Sequence, residues 1–383
     1  MNSKIIFSLL AFVSSLIILS GCKKKETILG NQYVAAPSNF SVIGDGNGVQ
    51  LKAYNVVKAL GILFPFPMYH ADPAHPMKVD FQTLYQFYQA KFSAEVSWTL
   101  TLTSKKTHAV KAFHGLGTFI DSTNTKWDGG SDNDYFFGYP LDKDTAEVKL
   151  TFVGSDIVIT DIIQLSNQKN YHQQTINGVY HYLIDDFDGG NTLCAFSAFY
   201  PDLADVGGGN TGSNAYYPIK NQGNYSYRMY GKDLNSNTYL GSCNTPTLND
   251  IPGGTFTVTD PNDLYINLYI YGFGRANSNV SVIAYENDAN PGQALAPGTA
   301  FNQLINDKYI YYIPITWTGW KLVSFRYNGF IVPNTGGRLG NNTRNPDRLC
   351  GLALEMDSYP IQGYEVEALI DMVVVTENGF FQK

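Results

Sequence analysis

Charge is scarce in this chain. Of 383 residues only 15% are charged, 26 Lys and Arg against 33 Asp and Glu, for a net charge of -7. A basic face for nucleic acid or for anionic lipid headgroups is thereby excluded as the main binding mode. Cysteine is nearly absent: the 4 residues make no Cys-x-x-Cys pair and show no Cys/His spacing of a zinc site. No P-loop, Gly-x-Gly-x-x-Gly turn, nucleophile elbow or Ser/His/Asp order occurs. Amphipathic helical patterning is missing too, except for a short stretch at Ala300–Asp307.

Aromatics and glycine fill the space that charge leaves. With 27 Tyr, 23 Phe and 36 Gly, the composition is that of strands and turns. The stretch Asp263-Leu-Tyr-Ile-Asn-Leu-Tyr-Ile-Tyr-Gly-Phe-Gly274 is the most informative. Alternation puts Leu264, Ile266, Leu268 and Ile270 on one face of a strand and Tyr265, Asn267, Tyr269 and Tyr271 on the other. The aliphatic face is core. The other face carries rings and an amide where a solvated strand carries Lys, Glu or Thr. A ring stacks on the apolar C–H face of a sugar and an amide meets its hydroxyls, so these four residues are candidate glycan contacts. They equally fit ordinary cross-strand pairing or a contact with the preceding domain.

At the N-terminus, Lys4 and an apolar run from Ile5 to Leu19 lead into Leu19-Ser20-Gly21-Cys22. The run is short for a membrane span and suits a secretory signal, and its ending resembles the lipobox of bacterial lipoproteins. That resemblance implies cleavage after residue 21, acylation of Cys22 and a membrane anchor through that lipid. Residues 22–37 read as a tether. Cys194, Cys243 and Cys350 are then left; Cys350 suits burial as a small apolar side chain, and Cys194 with Cys243 is the one pairing open to a disulfide.

Residues 38–168 are strand and turn throughout. Val96-Ser-Trp98-Thr-Leu100-Thr-Leu102 alternates cleanly, as do Val148, Leu150 and Phe152, and Trp127-Asp128-Gly129 is a turn. This predicts a β-sandwich. Asp128, Asp132 and Asp134 crowd one turn, read as a hairpin connection with a weak Ca²⁺ site as the alternative. His70 and His75 lie in a Pro-rich loop that does not aim both rings at one metal.

Residues 169–383 form a second, more aromatic unit. Tyr182-Leu-Ile-Asp-Asp-Phe-Asp-Gly-Gly190, Gly223-Asn-Tyr-Ser-Tyr-Arg228, Tyr311-Tyr-Ile-Pro-Ile315, Thr318-Gly-Trp-Lys-Leu-Val-Ser-Phe325 and Ala368-Leu-Ile-Asp-Met-Val-Val-Val375 resemble the strands of jelly-roll carbohydrate-binding modules. With the Trp98 and Trp127 pattern before it, the chain resembles the surface glycan-binding lipoproteins of Bacteroidota, which join immunoglobulin-like spacers to such a module. The resemblance implies an all-β fold: an immunoglobulin-like sandwich followed by a jelly-roll (galactose-binding-like) sandwich. It also implies non-catalytic binding of a polysaccharide or oligosaccharide for uptake at the outer membrane, with an uptake complex as partner. Three lysines directly after Cys22, where surface-exported proteins of this kind are acidic, leave a periplasm-facing orientation open beside the cell surface.

Jelly rolls of this kind hold a structural Ca²⁺ between the loop after the first strand and the last strand. The resemblance therefore assigns Asp185, Asp186, Asp188 and Asp371 as its ligands, although Asp186 and Asp188 also suit a plain turn. Further ligand candidates are Tyr217, among the tyrosines from Tyr216 to Tyr230, and Trp317, in the turn before Trp320. Arg338, in the Asn334–Asn345 loop that also carries Arg344, completes the set. Trp320 itself reads as packed. Few cations favour a neutral glycan.

Catalysis would need paired carboxylates about 5–9 Å apart. Glu365 and Glu367 share a strand face, as do Glu355 and Asp357, but neither pair sits in a glycanase motif.

Overall fold

The computed structural model describes residues 33–44, 49–58, 77–138, 144–188, 196–198, 207–212, 223, 225–232, 239–243, 251–276, 278–288, 307–332, 340–357 and 365–383. Cys22, Cys194, Tyr217, Arg338, the His70–His75 loop and most of the 300–307 stretch lie outside them.

The first sheet system comprises β1 (Val42–Ile43), β2 (Lys52–Val57), β3 (Met77–Asp80), β4 (Leu84–Ser104), β5 (Val110–Ile120), β6 (Thr145–Phe152) and β7 (Val158–Asn167). Its path is β1-β4-β6-β7-β3, with β2 and β5 also paired to β4. β4 serves so many partners because it is 21 residues long, and its pairing with β5 shifts register between Lys91 and Val96. Its first half pairs with β2 and its second half with β6. The period-two pattern seals the inner face, where Trp98, Leu100 and Leu102 meet Val148, Leu150 and Phe152. Trp127 donates its indole N–H to the Gly130 carbonyl (2.8 Å) and packs edge-on to Phe81 (4.5 Å). Gly129 holds the turn at φ +97, where a Cβ would strike the Phe81 ring at 2.5 Å.

The second system begins with β8 (Gln174–Ile176), β9 (Val179–Asp185), β10 (Phe196–Ala198), β11 (Gly207–Gly212), β12 (Tyr225–Lys232) and β13 (Tyr239–Cys243). It continues with β14 (Leu264–Phe273), β15 (Asn279–Glu286), β16 (Lys308–Pro314), β17 (Thr318–Arg326), β18 (Leu349–Asp357) and β19 (Glu365–Glu377). One sheet runs β10-β13-β18-β15-β16; the other runs β11-β12-β19-β14-β17, with β9 on β19 and β8 on β9. The protein is all-β, and its second system is a two-sheet sandwich.

As the alternation requires, Leu264, Ile266, Leu268 and Ile270 of β14 are fully buried between the sheets. They meet Val280 and Val282 of β15, Leu352 and Leu354 of β18, and Val366 and Ile370 of β19. Each such side chain contributes roughly 1.5–3 kcal/mol on leaving water. Cys350 is buried as expected, its thiol toward the Tyr285 carbonyl (3.3 Å). The glycine-rich stretch 207–212 forms the edge strand β11. Its pairing with β12 is a backbone matter, which glycine permits at an edge.

Phe136 from the first system, Tyr171 from the crossing segment, and Ile176, Tyr269, Met372, Val374 and Phe381 from the second form one apolar cluster. His181 sits beside it, 5.5 Å from the Phe381 ring. Its Nδ1 faces the Val179 carbonyl at 2.9 Å, and its Nε2 accepts the Gln382 N–H at 2.9 Å, so the neutral ring is the one this pocket holds. Burial lowers its pKa from 6.5 to about 4. The unfolded chain therefore binds the extra proton first, and stability is lost as pH falls from about 6.5 to about 4. Urea unfolding at pH 7 and pH 4.5 should show about 2 kcal/mol more loss in wild type than in His181→Gln. Equal losses in the two would contradict this role.

Candidate functional site

β14 lies between β19 and β17, which makes its outer face the centre of a sheet. The structure corrects the reading of that face as a glycan platform at three of its four positions. Tyr265 is closed off, with Phe380 edge-on at 4.7 Å and Arg326 over its ring at 5.6 Å. Asn267 is fully buried and internally satisfied. Its amide donates to the Val374 carbonyl (3.2 Å) and Thr376 Oγ1 (3.0 Å), and its carbonyl accepts the Phe381 N–H (3.2 Å). Tyr269 is 1% exposed beneath Phe136 (5.8 Å), with the Lys383 ammonium 5.6 Å from its ring. Burial pushes its phenol well up, and its hydroxyl has no partner. The first sheet system and the C-terminal segment occupy this face, which is why it carries rings rather than charge.

Past that contact the same face opens. Register places Arg228, Leu369, Tyr271 and Trp320 in one row across β12, β19, β14 and β17, and Tyr230 with Glu367 in the next. Tyr271 is half-buried, edge-on to Phe273 (5.1 Å) and to Trp320 (5.5 Å). Beside these rings runs a chain of ion pairs. Arg228 Nε donates to Glu367 Oε1 (2.8 Å), Arg275 Nη2 to Glu367 Oε2 (2.7 Å) and Arg275 Nη1 to Glu365 Oε2 (2.9 Å). The Arg228 guanidinium also stacks on Tyr230 (4.4 Å) and that of Arg275 approaches Phe273 (5.7 Å). Half-exposed rings with ordered guanidinium and carboxylate edges can stack on a sugar face and bond its hydroxyls.

Of the predicted contacts among the described residues, only Tyr271 falls within this patch. Trp317 sits near its rim but is more engaged than its turn position suggested. Its N–H points to the Ile270 carbonyl (3.3 Å), one side packs on the sandwich core, and Lys321 lies 5.0 Å from its ring. Arg344 donates through Nε to the Phe330 carbonyl (2.9 Å) and is a structural residue. Arg228, Phe273 and Arg275 were missed, and Trp320, read as packed, does pack against the Tyr269 cluster but is only partly buried. Arg228 was legible, because Tyr227 and Met229 alternate inward and force it outward; Arg275 lies beyond the strand end, where periodicity is silent.

The four aspartates assigned to a cation lie near enough to act on one another electrostatically, but no three of them bring carboxylate oxygens within 4.8 Å of one another. Asp185 ends β9, Asp186 and Asp188 follow it, and β19 brings Asp371 to them across the Val373–Asp185 pairing. Two unusual backbone positions aim the carboxylates: Phe187 at φ +58 and Met372 at φ +49, the latter at a β-bulge opposite Asn267 and Tyr269. Asp185 Oδ1 accepts the Phe187 N–H (2.7 Å) and Asp371 Oδ1 the Met372 N–H (2.7 Å). The second oxygens of Asp185 and Asp371 are buried and have no partner. Burial raises Asp185 to about 6 and Asp371 well above the carboxylate range, with the neighbouring aspartates adding to both. Partnerless buried oxygens in a purely acidic, all-oxygen set are the donors a hard divalent cation takes. By contrast Asp132 and Asp128 are taken up by Lys111 and Lys169 (both 2.6 Å), and the hairpin reading of that turn is corrected: the segment joins β5 to β6, which flank β4 instead of pairing with each other.

A cleft of about 530 Å³ between the sheet systems is lined by Lys58, Lys111, Lys126, Lys169 and Lys383.

No protein-family model and no curated protein matches the chain. Solved structures similar to it are carbohydrate-binding modules with β-sandwich folds. The family 11 module of Clostridium thermocellum, solved with a β-1,3-1,4-mixed-linked tetrasaccharide, is 16% identical with a TM-score of 0.34, covering 53% of this chain and 98% of its own. A family 30 module of a cellulosomal cellulase from the same organism is 10% identical with a TM-score of 0.33, covering 52% and 99%. Both similarities are distant in sequence and in superposition.

Proposed function

We propose that the chain is a lipid-anchored cell-envelope protein whose second sandwich, within residues 169–383, holds an oligosaccharide or polysaccharide without cleaving it. The observation that carries this reading is the half-exposed array of Tyr230, Tyr271, Phe273 and Trp320 beside the Arg228–Glu367–Arg275 ion pairs. Residues 38–168 serve as a spacer of the immunoglobulin-like kind. Cys22 carries the lipid at the outer membrane, with an uptake complex as the receiving partner. Asp185, Asp186, Asp188 and Asp371 hold a structural Ca²⁺ that ties the first and last strands of the module. The ion pairs also bear on catalysis. Both oxygens of Glu367 are engaged by guanidinium groups, an arrangement suited to holding a surface in shape rather than to moving a proton.

Affinity electrophoresis of the lipid-free protein against neutral plant, fungal and host polysaccharides tests the reading. Retardation by at least one neutral polymer is expected, weakened tenfold or more, about 1.4 kcal/mol, by Trp320→Ala. Absence of retardation in every gel refutes it. Retardation by uronate polymers alone would move the site to the lysine-lined cleft.

A further inference from the structure

A second acidic group lies far along the chain from the aspartates of β9 and β19. Glu286 closes β15, Asp288 follows it, and Asp307 precedes β16. One oxygen from each lies within 4.8 Å of the others. Glu286 is 0% exposed and Asp307 1%.

Their outer oxygens are well supplied. Glu286 Oε1 accepts the Tyr327 hydroxyl and the Asn345 N–H, both at 2.6 Å. Asp307 Oδ2 accepts the Asn342 N–H (2.7 Å) and the Tyr309 hydroxyl (3.3 Å). Asp288 Oδ1 accepts from Asn341 Nδ2 (2.9 Å) and Arg348 Nη1 (2.8 Å), and its Oδ2 from the Asp307 N–H (3.1 Å). Glu286 Oε2 and Asp307 Oδ1, by contrast, are buried and have no partner. A Cβ on Gly340 would stand 2.5 Å from Asp307 Oδ1 and 2.6 Å from Asp288 Oδ2, so only glycine lets the backbone pass this close to the carboxylates.

We propose that Glu286, Asp288 and Asp307 form a second divalent-cation site, suited to Ca²⁺, that pins the β15–β16 end of the five-stranded sheet to the 340–348 segment. Three carboxylates face one ion-paired guanidinium, that of Arg348; Arg344 nearby is spent on the Phe330 carbonyl. The excess negative charge is of the size a divalent ion neutralises. Every donor is an oxygen, and oxygens on opposite sides of Ca²⁺ stand about 4.6–5.2 Å apart, wider than Mg²⁺ permits. The site is independent of any glycan.

Calcium and terbium titrations of chelator-stripped protein test this. Wild type should bind two equivalents of Ca²⁺ by calorimetry, and Asp371→Asn should retain one. In that background Tb³⁺ should give tyrosine-sensitised emission, reduced in Tyr327→Phe because that ring abuts Glu286. Glu286→Gln or Asp307→Asn should remove the remaining equivalent or weaken it at least tenfold. Should Asp371→Asn not fold, the same loss is read as a fall from two equivalents to one in Glu286→Gln alone. Unchanged stoichiometry and affinity in folded Glu286→Gln and Asp307→Asn overturn the proposal, as does wild-type binding at millimolar Ca²⁺ that Asp371→Asn abolishes entirely. A shared proton between Glu286 and Asp307 would then account for the two partnerless oxygens.

Discussion

Asp371→Asn should remove much of the stability that calcium confers on this chain. Asp371 is fully buried at the bulge of β19, one oxygen has no partner, and Asp185, Asp186 and Asp188 press their charge on it. Burial, first, and then those neighbours raise its pKa, so without a cation the ionised group is a cost to the fold. A bound ion turns that cost into cohesion between the first and last strands of the module. At free Ca²⁺ about 100-fold above Kd, one site contributes about 2.7 kcal/mol. The variant should lose an increment of that size from its calcium-dependent gain. Stripped of metal, it should be at least as stable as wild type, because a buried carboxyl that costs free energy either to ionise or to protonate is replaced by a neutral amide. Thermal unfolding with and without chelator measures both. A wild type whose midpoint ignores calcium and chelator alike would end the metal reading of this centre.

Tyr269→Ala is expected to destabilise the protein by about 3–5 kcal/mol, the range for emptying a large buried aromatic site. The ring is 1% exposed and is met by Phe136 of the first sheet system, so its loss also loosens the contact between the two systems. Tyr269→Phe should behave in the opposite sense. The phenol hydroxyl has no partner, and deleting a buried unsatisfied group is neutral or stabilising by up to about 1 kcal/mol. Urea unfolding separates the two variants. At temperatures where both remain folded, retardation by the bound glycan should match wild type, because the open ring patch begins only at Tyr271. A loss of glycan affinity in Tyr269→Phe would return the site to the centre of β14.

β14 shows how far the chain could be read without coordinates. The aliphatic set Leu264, Ile266, Leu268 and Ile270 was legible because alternation is a local property of the strand and tolerates no other register. The opposite set was legible as unusual but not as covered, because its cover comes from Phe136 and Tyr171, about a hundred residues or more away. Asp185 to Asp188 are neighbours in sequence and Asp371 was set beside them by resemblance to jelly rolls, but the carboxylates that come within 4.8 Å of one another are Glu286, Asp288 and Asp307. Glu286, Asp288 and Asp307 were invisible: the last lies beyond a long connection, and acidic residues at strand ends ordinarily face water.

By itself the sequence determined the all-β class and the inward faces of strands such as β14, β4 and β6. Those depend on side-chain period and on turn chemistry, which act over a few residues. Only the tertiary structure decided which outward face meets water and which meets another sheet. It left Tyr271 and Trp320 half-open, closed Tyr269, and brought Glu286 to Asp307. Exposure and carboxylate pairing are set by what packs from far along the chain, and alternation on a strand carries no information about that neighbour.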